Sequence, residues 1–176
     1  SGVTGVQTCA LPILVENSID AGANKIIIEI KNGGISYIRI SDNGKGIQKD
    51  DMEIAFERHA TSKIRQVEDL EKTYTMGFRG EALASISSIS KLTIISKIKE
   101  DLIGNKIISN AGEITEIEQC ASQTGTQIIV EDLFYNTPVR YKFLKQDATE
   151  SKYIKNWVEK VALANPNISF KLIIDN

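Results

Sequence analysis

The chain has 176 residues, 41% of them hydrophobic and 25% charged, with a net charge of −2. That length buries one sizeable domain with room for the beginning of a second, and the near-average composition excludes disordered and fibrous classes. The near-neutral balance gives no hint of nucleic-acid binding, so any DNA contact needs a local patch, and no stretch approaches the roughly 18 apolar residues that cross a bilayer.

The first thirteen residues lack the basic and apolar regions of a secretory signal. Cys9 and Cys120 have neither metal-ligand nor disulfide spacing, so they read as buried or tolerated thiols. A soluble protein of a reducing compartment, without a membrane partner, is expected.

Residues 14–21 read as a helix, with Leu14, Val15 and Ile19 on one face and Glu16, Asn17 and Asp20 on another, ended by Gly22. Residues 25–30 and 36–41 read as an antiparallel strand pair punctuated by Gly33 and Gly34. A glycine turn, Asp42-Asn43-Gly44-Lys45-Gly46, leads to an amphipathic helix over 49–58 carrying Met52, Ala55 and Phe56. Residues 61–80 have weak periodicity and read as a long functional loop. A small-residue helix is expected over 81–89, then strands over 91–97, 104–109, 114–118 and 126–130. Helices over 138–145 and 150–165 and a strand over 169–174 complete the chain. The pattern predicts an α+β fold: a two-layer α/β sandwich with helices on one face of a mostly antiparallel mixed sheet.

Four segments carry chemistry. In Glu16-Asn17-Ser18-Ile19-Asp20-Ala21, Asn17 offers a hard carbonyl oxygen suited to Mg²⁺ when phosphate oxygens and waters complete the shell. In Asp42-Asn43-Gly44-Lys45-Gly46-Ile47, glycines permit close approach to a ligand, and a strand-end carboxylate can accept from an exocyclic amine. Gly77-Phe78-Arg79-Gly80-Glu81-Ala82-Leu83 opens a helix, where backbone N–H groups form an anion site and Arg79 adds charge; the spacing is not that of a P-loop. Gly125-Thr126 runs through a strand into Asp132-Leu133-Phe134-Tyr135-Asn136-Thr137-Pro138-Val139-Arg140, where Thr126 could share a water with Asp42 and the adjacent aromatics read as core anchors. Thr61, Ser62 and Lys63 are phosphate-contact candidates, and the single histidine, His59, reads as structural. Each segment alone also has a plainer account: a solvated acidic helix face, a hairpin turn, a glycine-rich loop end.

In this order the segments resemble the N-terminal ATPase region of MutL-type DNA mismatch repair proteins, within the gyrase, Hsp90, histidine kinase and MutL superfamily. The resemblance is carried by residues 14–23, 42–47, 58–63, 77–85 and 132–140; the runs at 58–63, 77–83 and 134–138 look specific to the MutL branch. It implies a Bergerat-type ATP-binding fold over 14–165, with ATP and Mg²⁺ as cofactors. Asn17 is implied as the metal ligand, Asp20 as a further nucleotide-site residue, and Asp42 as the reader of the adenine amine. Gly44 and Gly46 supply backbone near the base, and Thr126 shares a water there. A lid over about 48–80 brings Thr61, Ser62, Lys63, Gly77, Phe78, Arg79 and Gly80 toward the phosphates. Lid closure is coupled to dimerisation into a homodimer, and the implied partners are DNA, a mismatch-recognition protein and a downstream nuclease or helicase. The implied location is the bacterial cytoplasm or the chromosomal DNA. The competing expectations are a related ATPase, such as a topoisomerase subunit or chaperone, and a nucleotide-binding module without turnover.

The sequence departs from the family at one position that matters chemically. The family's general-base glutamate lies four residues before the magnesium asparagine, on the same helix face, and here that position is Ile13. Isoleucine accepts no proton, so the roughly 10²–10⁴-fold contribution of a general base is expected to be lost. Glu16 neighbours Asn17 and points about 100° away round the helix. Residues 1–13 read as foreign or mistranslated sequence, and 166–176 as the start of a second domain.

Overall fold

The computed structural model describes residues 6–57, 79–133, 135 and 147–176, with the side chains of 6–9, 57 and 79–82 outside that description. In chain order the elements are α1 (Val6–Asp20), β1 (Lys25–Lys31), a 3₁₀ turn (Asn32–Gly34), β2 (Tyr37–Asp42), α2 (Lys49–Glu57) and α3 (Arg79–Ser88). There follow β3 (Lys91–Lys97), β4 (Gly104–Asn110), β5 (Glu113–Cys120), β6 (Gly125–Glu131), α4 (Asp147–Ala164) and β7 (Ser169–Ile174). The strands form one sheet in the order β5-β4-β3-β6-β2-β1-β7. β7 pairs with β1 in parallel, and the other pairings are antiparallel. This is the expected α+β class, and all seven expected strands form within two residues of their expected bounds.

Alternation dictates which face is covered. In β1, Ile26, Ile28 and Ile30 are buried while Ile27 and Glu29 on the other face are half-buried. The buried set continues through Ile38 and Ile40 of β2, Val130 and Ile128 of β6, Leu92 and Ile94 of β3, and Ile107 of β4. Against it pack Leu11, Leu14 and Val15 of α1, Met52 and Phe56 of α2, Leu83 and Ile86 of α3, and Ile154 and Val158 of α4. Burying each such side chain contributes about 1.5–3 kcal/mol, so β-branched alternation and helical apolar stripes together define a two-layer sandwich.

α1 begins at Val6, well before the expected start at residue 14, and holds Pro12 within it. A mid-helix proline removes one backbone donor and costs about 3 kcal/mol. Leu11 and Ile13, 1% and 2% exposed, flank it in the core, and their burial offsets that cost. Thus the segment expected to be foreign shares the core from Ala10 onward. The segment expected to open a second domain supplies β7, paired with β1 from Lys25↔Ser169 to Ile30↔Ile174 and packed against α4. The expected helix over 138–145, and the expected loop apart from Arg79 and Gly80, lie outside the described residues.

On the opposite face, Arg39 pairs with Glu29 at 3.1 Å and the Lys31 ammonium lies 5.0 Å from the centre of the Tyr37 ring. Cys120 ends the edge strand β5 as a half-buried free thiol. Burial pushes this thiol above its usual range, which keeps it protonated and weakly nucleophilic.

Candidate functional site

The buried face of the sheet changes character at one rung. Strand register places Asp42 opposite Thr126, Thr126 opposite Ser96, and Ser96 opposite Asn105. Across the middle of the sheet the corresponding rung is Ile28, Ile40, Ile128, Ile94 and Ile107, so a polar row adjoins an apolar one on the same face. The C-terminal half of α1 lies over this row, because its Ser18 hydroxyl donates to Asp42 Oδ2 at 2.6 Å.

Asp42 is the hub. Its Oδ1 accepts from the Gly44 N–H at 2.9 Å and from the Thr126 N–H at 3.3 Å. Thr126 therefore meets Asp42 through its own backbone, and its hydroxyl shares a 2.7 Å hydrogen bond with Ser96. The Ser96 hydroxyl also donates toward the Gly125 carbonyl at 2.9 Å and accepts from the Ile47 N–H at 2.8 Å, tying the end of the glycine turn to β3. Asn43 closes the other side: its Oδ1 accepts from the backbone of Asn24 and Lys25, and its Nδ2 donates to Asn24 Oδ1 at 2.6 Å.

Two glycines of the turn are required by close backbone approach. A Cβ on Gly44 would stand 2.8 Å from both the Ala21 Cβ and the Ala21 carbonyl oxygen. Gly46 has φ +77°, and a Cβ there would collide with the Lys97 carbonyl. Both glycines therefore seat the turn between the end of α1 and the end of β3, reinforced by the Lys45 N–H donating to the Ala21 carbonyl at 2.9 Å. Gly46→Ala is expected to lower stability by at least about 2 kcal/mol, measured as a drop in the urea midpoint at unchanged slope. An unchanged midpoint would show that the turn can move off β3.

The remaining candidates divide by position. Asn17 is half-buried one residue before Ser18, and Asp20 is exposed at the last position of α1. Ile13, at the position expected for a general base, is buried in the core cluster. The backbone of Arg79 and Gly80 begins α3, while Thr61, Ser62, Lys63, Gly77 and Phe78 lie outside the described residues, as does His59. Tyr135, expected as part of a core anchor, is 53% exposed, and Leu133 takes the buried place after β6. Ser18 and Ser96 were not singled out in the sequence. Ser18 could have been suspected from its place beside Asn17, whereas Ser96 has a role only through the cross-strand register.

Two cavities flank the glycine turn. One of about 370 Å³ lies on the sheet face opposite the helices between Ile27, Ser41, Ile95 and Gln127, and one of about 800 Å³ lies beside Gly44, Gly46, Gln48 and Lys99. Asp42 and Thr126 of the polar row line the first of these cavities, whereas neither cavity is lined by Asn17 or Ser18. No group of three His, Cys, Asp or Glu residues suited to hold a metal is found among the described residues. A divalent cation at Asn17 would therefore need most of its ligands from another molecule.

Comparison with known proteins shows the family. Residues 6–133 match the family model for histidine kinase-, DNA gyrase B- and HSP90-like ATPases, a match that begins inside the segment expected to be foreign. The chain is 53% identical over 160 residues to the DNA mismatch repair protein MutL of Halothermothrix orenii, covering 91% of this chain and 25% of that protein. It is 51% identical over 163 residues to MutL of Agathobacter rectalis, covering 93% and 25%. Among solved structures, the Aquifex aeolicus MutL ATPase domain complexed with ADP superposes with a TM-score of 0.79 at 34% identity, covering 96% of this chain and 60% of that one. The chain thus spans about a quarter of the length of these curated relatives. It belongs to the histidine kinase-, DNA gyrase B- and HSP90-like ATPase family, on the MutL branch of DNA mismatch repair proteins.

Proposed function

We propose that this chain binds Mg·ATP at the polar row beside the C-terminal end of α1, with Asp42 accepting a hydrogen bond from the adenine 6-amino group. The observation that carries the reading is the Asp42 carboxylate, held by three donors in a polar row of the sheet's buried face. A carboxylate has about four lone-pair sites, so one remains for a ligand donor. The solved MutL ATPase domain that this chain resembles is complexed with ADP, which suits the same site.

Asn17, three residues before the end of the same helix, would contribute one oxygen to Mg²⁺, and the phosphates and water would supply the rest. Asp20 extends the polar end of that helix. Gly44 and Gly46 bring backbone to the base edge, and Thr126 lies beside it in register with Asp42. Thr61, Ser62, Lys63, Gly77, Phe78, Arg79 and Gly80 belong to the lid over about 48–80, which closes toward the phosphates. Closure joins two copies into a homodimer that signals to DNA, a mismatch-recognition protein and a downstream nuclease or helicase in the cytoplasm.

Hydrolysis by this chain is slow or absent, because the position expected to hold a proton-accepting carboxylate carries Ile13, 2% exposed. A second copy of the missing base is not supplied by Glu16, which is half-buried next to Asn17 rather than a turn away. Nucleotide binding without turnover is therefore the activity assigned to this chain. Removing Mg²⁺ with EDTA during an ATP titration is expected to weaken binding at least tenfold, because phosphate charge is then matched only by protein donors. Affinity indifferent to chelation would remove the metal from the proposal.

A further inference from the structure

We propose that the Asn32-Gly33 turn is a spontaneous modification site, at which Asn32 loses its side-chain amide and becomes aspartate or isoaspartate. The fold withholds the same fate from the Asn43-Gly44 turn.

Asparagine followed by glycine is the dipeptide most open to this reaction, because glycine has no Cβ to hinder its own nitrogen. The sequence contains it only at these two places. At the first, the Gly33 backbone nitrogen attacks the Asn32 side-chain carbonyl carbon. A new N–C bond forms, the bond to Nδ2 breaks, and the proton of the attacking nitrogen leaves with that group as ammonia. Water then opens the cyclic imide at either carbonyl. One opening gives aspartate; the other gives isoaspartate, in which the main chain runs through the former side chain.

Both asparagines are exposed and both glycines are buried, so access does not separate the two turns. Hydrogen bonding does. The Asn43 side chain is held at both ends: Oδ1 accepts from the Asn24 N–H at 2.9 Å and the Lys25 N–H at 3.0 Å, and Nδ2 donates to Asn24 Oδ1 at 2.6 Å. The attacking nitrogen is engaged as well, because the Gly44 N–H donates to Asp42 Oδ1 at 2.9 Å. Ring closure at this turn has to undo that set.

Asn32 has less to give up. Among the described residues, neither its Nδ2 nor the Gly33 N–H has a hydrogen-bond partner. Its Oδ1 accepts from the Ser36 hydroxyl at 3.1 Å, and the single proton of that hydroxyl is shared with the Lys31 carbonyl at 3.3 Å. The Asn32 N–H donates to Asp175 Oδ1 at 2.9 Å, and the Asp175 N–H donates to the Ile30 carbonyl at 2.9 Å. Both products therefore set a new carboxylate beside that of Asp175, and like charge is added at the end of the β1–β7 pairing.

The test holds the full 176-residue chain at mildly alkaline pH, folded or in denaturing urea, and follows it by tryptic digestion. Cleavage after Lys31, Arg39 and Lys45 puts the two turns in separate peptides, whose masses report exchange of an amide NH for oxygen. In the folded chain Asn32 is expected to convert at least about tenfold faster than Asn43, the equivalent of two ordinary hydrogen bonds broken before reaction. In urea the two are expected to convert at similar rates. Asn24→Ala, which removes one bond from Asn43, is expected to raise conversion there several-fold and to leave Asn32 unchanged. Equal rates in the folded chain, the same preference in urea, or an Asn32 that stays intact while the unfolded chain converts would each overturn the proposal. An Asn43 indifferent to Asn24→Ala would overturn the shielding of the second turn.

Discussion

Replacing Asp42 with alanine is expected to weaken Mg·ATP binding by about tenfold to a hundredfold, the loss of a hydrogen bond between an amine and a charged acceptor. The same change strands three donors, the Ser18 hydroxyl and the Gly44 and Thr126 N–H groups. Each stranded donor that stays dry costs about 1–3 kcal/mol, so stability falls together with affinity. Asp42→Asn separates the two effects. Its side-chain oxygen still accepts from Gly44 and Thr126, and its amide can donate to the Ser18 oxygen, so stability is expected within about 1 kcal/mol of the parent. ATP binding is still expected to fall, because an amide N–H₂ then meets the adenine amine donor to donor. Calorimetric titration and thermal melting of the two variants check both statements, and full ATP affinity in Asp42→Ala would remove Asp42 from the base-reading role.

The second large effect concerns position 13. Restoring a glutamate there is expected to fail as a rescue of hydrolysis and to lower stability by several kcal/mol. Ile13 is 2% exposed among Ala10, Leu11, Leu14 and Val15, with Pro12 immediately before it. An ionised carboxylate in that setting is desolvated without a partner, and protonating it instead forfeits its use as a base. Phosphate release by Ile13→Glu at the level of the unmodified chain, with a lowered melting temperature, is the expected result. A gain of a hundredfold or more in turnover at unchanged stability would show that this position reaches the reacting phosphate. A high rate in the unmodified chain would equally end the assignment of binding without turnover.

Much of the fold was legible because isoleucine marks it. Strands β1, β2, β3 and β6 alternate or cluster Ile and Val against polar neighbours, and cross-strand burial follows from that period. The start of α1 was not legible. Pro12 and the glycines before it argue locally against a helix, and only tertiary burial of Leu11 and Ile13 overrides them. The place of β7 was hidden for a related reason: the sequence pattern shows a strand, while parallel pairing to β1 depends on where α4 returns the chain. The candidate site was legible in part: Asp42, Gly44, Gly46 and Thr126, which the fold brings together, stand in short motifs. Its organisation was not, because the row Asp42–Thr126–Ser96–Asn105 exists only once β2, β6, β3 and β4 are in register. Ser18 carries little signal of its own, because a serine inside a helix is ordinarily satisfied by its own backbone.

Asp42 is proposed to read an adenine amine from the polar row beneath α1. Competition between Mg·ATP and Mg·GTP for the unmodified chain tests this most directly. Guanine presents an acceptor oxygen where adenine presents an amine, so it would face the carboxylate acceptor to acceptor. At least tenfold tighter binding of ATP is predicted. Equal affinities for the two nucleotides would contradict it.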